Sequence, residues 1–347
     1  MSFEIKLIQS SPSLENGKDR YLTKDKFLRY DEILAYRLQE LIPDSIVKYE
    51  TPEPGSKYRI SETDLHFVYA DDLHDILVIR NLETDKYVLV DFQDGPKHSK
   101  TLILNDNCIL QYSSMFLDMI EKDTTAFNAK CDLLPFTFFD NYPYLTRQFR
   151  EEIREIRNST EVLNPRMVFY GTLGDLETGI YCTDNVVTGK REEVRKVVKV
   201  LKEKYPDLID VKDREEKLER TEWWKLAATY SIALTVPGHP WCSREHEFWS
   251  LGIPTIASTY TCPLLFPLIH NKHYIDAGTT GKDLMDREID QEQAADLIAE
   301  RFLEIRDHRE YLNKLASNAQ ERYDLFIFPE KAAEHLITDI KFRTEFL

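Results

Sequence analysis

No run in this sequence approaches the ~20 consecutive apolar residues that carry a helix across a bilayer. Its start, "MSFEIKLIQSSPSLENGKDRY", lacks the basic opening and long apolar core of a secretory signal. Neither a helical membrane span nor a signal peptide is expected, and a cytoplasmic protein is the expectation. Cysteine is sparse: Cys108, Cys131, Cys182, Cys242 and Cys262 are odd in number, scattered, and form no C-x-x-C pair. That argues against a disulfide framework and against a cysteine zinc or redox centre, leaving reduced thiols. Basic excess is lacking as well. The formal net charge is -16, and it is even along the chain, with 20 Lys+Arg against 28 Asp+Glu in residues 1–160 and 25 against 33 in the rest. Neither half is a basic module, so binding dominated by a phosphate backbone is disfavoured, although a local basic pocket is compatible with the count. The carboxyl half has no D-x-D at a strand end, and a metal site is not implied.

What is present is a well-packed globular composition, 42% hydrophobic, in 347 residues. That length suggests two domains of roughly 150 residues. The second half has a regular rhythm. "RMVFYGTLG" (166–174) reads as a strand entering a glycine loop, and "KREEVRKVVKVLKEKYPD" (190–207) places Val194, Val197, Val198 and Leu201 at helical spacing. Then come a strand at 208–211, a helix at 221–230, a strand at 231–236, a helix at 244–252, strands at 253–257 and 272–276, and one or two long helices over 291–323. Strands alternating with helices predict a parallel sheet covered on both faces.

The first half is less regular. The spacing of Phe27, Tyr30, Leu34, Leu38 and Leu41 predicts a helix over 24–42, and strands are expected at 65–70, 75–81, 86–92 and 108–113, with a hairpin around "NLETDK". Helix-forming residues yield to Asn, Ser, Thr and Pro in "REEIREIRNSTEVLNPR" (150–166), which places a boundary near 158–165. The expected domains are 1–160 and 161–325, followed by a Pro-bounded helix in 326–347 that can pack back on the first domain. The fold class is α/β.

One stretch concentrates chemistry. "VPGHPWCSREHEFWSLGIPTIAS" (236–258) carries His239, Trp241, Arg244, Glu245 and Glu247 within nine residues. Ligands of open parallel sheets bind beyond the carboxyl ends of the strands, and the loop 237–243 sits at such an end. It feeds a helix whose amino terminus attracts anions. Ser243 is placed as its N-cap, Arg244 suits phosphate oxygens, and Glu247 lies three residues on with a carboxylate able to accept from two hydroxyls. A ribosyl diphosphate fits that pairing. Gly171 and Thr172, in the loop after the first strand of this half, allow close approach of backbone to a phosphate. The bland alternatives are a surface i,i+3 ion pair for Arg244 and Glu247, loop packing for His239 and Trp241, a plain turn for Gly171 and Thr172, a solvated face for Lys190 and Arg191, and core packing for Trp223 and Trp224.

The segment "PGHPWCSREHEFWSLGIPTIAS" resembles the carboxyl-domain signature of GT-B glycosyltransferases, which are built of two facing Rossmann-like domains with parallel sheets. "EFWSLGIP" from Glu247 matches the recurring E-A-x-x-x-G-x-P, and the R-x-x-E after Ser and a P-G turn is similar to exostosin-like members. The resemblance covers 166–280 and implies that Glu247 holds the ribose of a nucleotide, Arg244 the diphosphate, and that the donor is a nucleotide sugar, UDP-linked, with no metal or other cofactor required. Retaining members carry a second Glu eight residues earlier, where this chain has His239, which favours the inverting course. Inversion needs a base on the acceptor hydroxyl. Asp94 in "DFQDGPK" is the candidate, with Asp71, Asp72 and His74 as competitors; Asp94 also reads as one half of an Asp-Gly turn pair. A carbohydrate, a glycolipid or another hydroxyl compound is the expected acceptor. DNA bearing hydroxymethylated pyrimidine is a rival, since phage DNA glycosyltransferases share the architecture, but the charge disfavours it. A nucleotide-sugar epimerase and a catalytically silent binding module are the remaining readings.

Overall fold

The computed structural model describes residues 2–8, 27–53, 55–65, 67–69, 76–92, 106–113, 132–135, 143–145, 147–171, 196–213, 220–235, 243–259, 268–280 and 290–347. The chain divides into two compact units: Met1–Thr146 with Cys262–Pro267 and Asp324–Leu347, and Arg147–Thr261 with Leu268–Tyr323. Both are α/β.

The first unit is built on a six-stranded sheet in the order β3-β1-β6-β7-β8-β9, where β1 is Phe3–Ile8, β3 Ser45–Glu50, β6 Ile76–Asn81, β7 Tyr87–Asp91, β8 Cys108–Ser113 and β9 Asp132–Pro135. Five strands share one direction and β6 runs against its neighbours β1 and β7, so this sheet is mixed, not wholly parallel as the resemblance implied. The cause is the expected hairpin. The Asn81 side chain accepts from the amides of Glu83 and Thr84, and Asp85 takes φ 60°, a left-handed conformation that Asp tolerates. A connection this short can only reverse the chain. Short ribbons join β2 (Phe27–Arg29) to β10 (Pro143–Leu145) and β4 (Lys57–Tyr58) to β5 (Val68–Tyr69). Because Phe27–Arg29 is spent on the β10 ladder, helix α1 begins only at Tyr30 and ends at Leu41. Tyr30, Leu34 and Leu38 of its expected face are buried, and Leu41 is exposed. The final helix, α8 (Pro329–Arg343), packs on α1 within this unit, and the buried Tyr30 hydroxyl donates to the Ile327 carbonyl at 2.6 Å. Pro329 at its start has no amide hydrogen to waste.

The second unit has a five-stranded sheet, all parallel, in the order β12-β11-β13-β14-β15. Its strands are β11 Asn164–Gly171, β12 Ile209–Asp213, β13 Tyr230–Thr235, β14 Thr255–Thr259 and β15 Ile275–Thr280. The helices are α2 (Arg147–Ser159), α3 (196–204), α4 (Arg220–Ala228), α5 (Ser243–Ser250), α6 (Gln291–Ile305) and α7 (Arg309–Arg322). Val197, Val198 and Leu201 of α3 enter one core with Met167 and Phe169 of β11 and Phe302 of α6, as their spacing predicts. The α6 start is capped by Asp290, which accepts from the Gln293 amide at 2.7 Å. Helix α2 stops at Ser159 and is tied to this unit. The buried Arg157 guanidinium donates to the carbonyls of Tyr230 (2.7 Å) and Ser231 (3.1 Å) at the start of β13, and Glu152 pairs with Lys225 of α4 at 2.7 Å. The polar stretch after Ser159 is therefore a short bend inside the second unit, and the division of the chain lies ahead of α2. No helix among the described residues is long and apolar enough to cross a membrane.

Candidate functional site

After β11 the chain supplies a strand on one side, β12, and then, through α4, a strand on the other, β13. The carboxyl ends of β11 and β13 are thus the place where strand order reverses, the position at which open parallel sheets bind ligands. Gly171 is the last residue of β11, and α5 starts at the far side of the connection that leaves β13. Ser243 is the first residue of α5, so the helix begins one position earlier than the N-cap role assigns it. Thr172, His239 and Asp94 lie outside the described residues, as do Asp71, Asp72, His74, Lys190, Arg191 and the loop before α5; for Ser243 and Arg244 the backbone alone is described.

Glu247 is the site residue whose environment is on view. It is 7% exposed, and its Oε2 accepts a hydrogen bond from the Trp224 indole Nε1 at 2.9 Å. A solvated ion pair on the helix surface is excluded by that burial. A carboxylate has about four acceptor positions, and the indole fixes the orientation of the group through one of them. Trp224 is held in turn by Phe149 of α2, with ring centroids 5.5 Å apart. Beside it Trp223 stacks on Tyr170, the residue before Gly171, at 4.7 Å and 24°, and meets Phe248 edge-on at 6.1 Å. The paired tryptophans do pack, as their apolar bulk suggests, but Trp224 also positions the proposed ribose carboxylate. The spacing of residues along one helix carries no sign of this, because the partners are 23 positions apart on α4 and α5.

The rest of α5 explains why a charged segment can be internal. Every residue from Glu245 to Ser250 is buried. His246 sits edge-on to Trp249 at 5.1 Å, and burial, with the nearby Arg322 cation, pushes its pKa down to about 3, so it is neutral at pH 7. The Trp249 indole donates to the Thr255 hydroxyl at 3.1 Å. The helix ends in a Schellman arrangement: the Ile253 amide donates to the Phe248 carbonyl (2.9 Å) and the Gly252 amide to the Trp249 carbonyl (3.1 Å), with Gly252 at φ 69°. This is the physical content of "GIP". Glycine supplies the left-handed cap, and Pro254 follows where no helix can continue, its carbonyl accepting from the Ala233 amide of β13 at 2.9 Å. A side chain at Gly252 would also meet Gln320 Oε1 at 3.1 Å. Outside α5, Arg154 of α2 donates to the Ser250 carbonyl at 2.7 Å. The helix carrying Glu247 is therefore fixed at its carboxyl end and along its sides.

No protein-family model matches the chain, and no curated protein matches it. Among solved structures it is similar to Anabaena Alr3699/HepE, crystallised with UDP and glucose, at 14% identity and a TM-score of 0.40, covering 72% of this chain and 71% of that one. A TarM variant from S. aureus, in complex with fondaparinux, α-GlcNAc-glycerol and UDP, aligns at 10% identity and a TM-score of 0.32 over 77% of this chain and 64% of that one. The pneumococcal O-GlcNAc transferase GtfA, in complex with UDP and GlcNAc, aligns at 12% identity and a TM-score of 0.26 over 81% and 70%.

Proposed function

We propose that this chain is a GT-B glycosyltransferase that moves a sugar from a nucleotide diphosphate donor, UDP-linked, to the hydroxyl of a carbohydrate, a glycolipid or a similar acceptor, with inversion and without a metal. The observation that carries the reading is the placement of Glu247. A carboxylate aligned by an indole lies on the helix that follows the strand-order reversal of a parallel sheet, in the segment whose residues match the family's ribose-binding helix. Two hydroxyls of a ribose complement such a group. Arg244, one turn earlier, is assigned to the diphosphate, where a guanidinium offsets charge that grows as the leaving group departs; Ser243, Gly171 and Thr172 contribute to the same phosphate cradle. His239 is assigned to the catalytic set, and Asp94 to the base that takes the acceptor proton.

The direct test is calorimetric titration of UDP into the wild-type chain and Glu247→Ala. Wild-type binding, weakened tenfold or more by the substitution, supports the ribose role, because a hydrogen bond to a charged group contributes about 1.5–3 kcal/mol. Equal affinity in the two proteins removes that role, and no heat with any nucleoside diphosphate removes the reading as a whole.

A further inference from the structure

The first unit contains a polar group at odds with its surroundings. Gln111 is 0% exposed, and neither its side-chain nitrogen nor its oxygen has a hydrogen-bond partner among the described residues. Its neighbour Tyr112 donates to Asp339 of α8 at 2.7 Å, which puts Tyr112 on the helix-covered face of the sheet. Side chains alternate along a strand, so Gln111 lies on the opposite face. There its register partner is Leu89, which pairs in turn with Val78, and both belong to an apolar cluster with Ile8, Ile60, Ile76 and Tyr87. Other polar groups near that cluster are paired: Lys6 with Glu50 at 3.0 Å, Tyr87 with Asp64 at 3.0 Å. A carboxamide left with both ends unmade is expensive, and a leucine would fill the same place at no such cost.

Position says what the amide is suited to. Gln111 is two residues short of the carboxyl end of β8, about 7 Å at strand rise, and β7, β8 and β9 are parallel and end together at that edge. We propose that Gln111 is a specificity-determining residue that hydrogen-bonds a neutral hydroxyl or acetamido group of the acceptor sugar. This rests on the transferase reading. A carboxamide presents a donor and an acceptor without charge, which complements a group that both donates and accepts and offers little to a phosphate or an ammonium. Its enclosure shields the contact from bulk water, so an analogue without the hydroxyl leaves the amide unpaired and is rejected strongly.

Gln111→Met keeps the length of the side chain and removes both polar ends. Thermal shift of the full chain is read with methyl glucoside and N-acetylglucosamine at millimolar concentration, and separately with UDP, for both proteins. The expected result is a substituted protein at least as stable as wild type, an unchanged UDP shift, and a sugar shift that is lost, with kcat/KM for the acceptor down about tenfold or more. Equal sugar shifts in the two proteins, or no sugar shift in either, overturn the assignment and make Gln111 a packing residue. An unfolded substituted protein would do the same, since it would show the amide to be structural; Gln111→Glu, which keeps an acceptor but adds charge, then separates loss of shape from loss of neutrality. Failure of the nucleotide reading registers independently, as no UDP shift in wild type.

Discussion

Trp223 and Trp224 are adjacent on α4, both buried, at 2% and 0% exposure, and each lies against another aromatic ring. They differ in one respect. The Trp224 N–H is bonded to Glu247, and the Trp223 N–H has no hydrogen-bond partner among the described residues. Replacing either by Phe removes the same atoms, so the cavity and transfer costs are similar, and the difference between the two variants isolates the bond to the carboxylate. A hydrogen bond to a charged group contributes about 1.5–3 kcal/mol, and stranding the buried acceptor adds to its loss. Trp224→Phe should therefore be less stable than Trp223→Phe by about 2 kcal/mol, which for a unit of this size separates their melting temperatures by about 4–8 °C. Urea unfolding followed by far-ultraviolet circular dichroism measures the first quantity and calorimetric scanning the second. In UDP titration, Trp224→Phe should lose affinity because Glu247 is no longer aligned, and Trp223→Phe should lose less. Variants equal in stability within about 0.5 kcal/mol would refute the argument that the indole holds the carboxylate.

Gly252→Ala forces a side chain into φ 69° and against Gln320, and should destabilise by about 1–2 kcal/mol in urea unfolding, whereas Gly252→Asn should lose less because Asn tolerates that conformation. The buried histidines give a pH dependence: His246 is pushed down to about 3 and His273 to about 4, both first by burial, so below pH 6.5 the unfolded chain binds more protons than the folded one. Their stabilisation is complete above pH 6.5 and is lost as pH falls toward 3, and unfolding free energies from pH 7 to pH 4 should show a slope that His246→Phe reduces; an unchanged slope would remove His246 from the account.

Much of the second unit is legible because its signals are local. Val197, Val198 and Leu201 reach the core that their spacing predicts, and a helix read over 244–252 is observed over Ser243–Ser250. Where tertiary pairing competes with local pattern, the reading shifts. Phe27–Arg29 fits a helical period, yet it pairs with Pro143–Leu145, since the edge of a ribbon satisfies its backbone as well as another helical turn would. Ser45–Glu50 shows little apolar alternation, being an exposed edge beside β1, and its partner strand Phe3–Ile8 is buried throughout. The register that joins them is a property of neither segment alone.

The candidate site divides along the same line. "GIP" can be interpreted from sequence because a left-handed cap and a helix stop are settled within six residues, from Phe248 to Ile253. The environment of Glu247 cannot, because it depends on where α4 comes to lie beside α5, and that is set by β13 between them and by Arg157 gripping the start of that strand from α2. A charged helix with Arg, Glu, His and Glu in succession has the composition of a solvated surface. It is internal because the aromatic side chains of Trp223, Trp224, Phe149, Phe248 and Trp249 close around it, and because the one histidine in it is neutral. Burying Glu247 carries a desolvation cost that neighbouring groups must offset. The Trp224 indole meets part of that requirement, since its N–H holds one carboxylate oxygen at 2.9 Å and fixes the direction in which the group points.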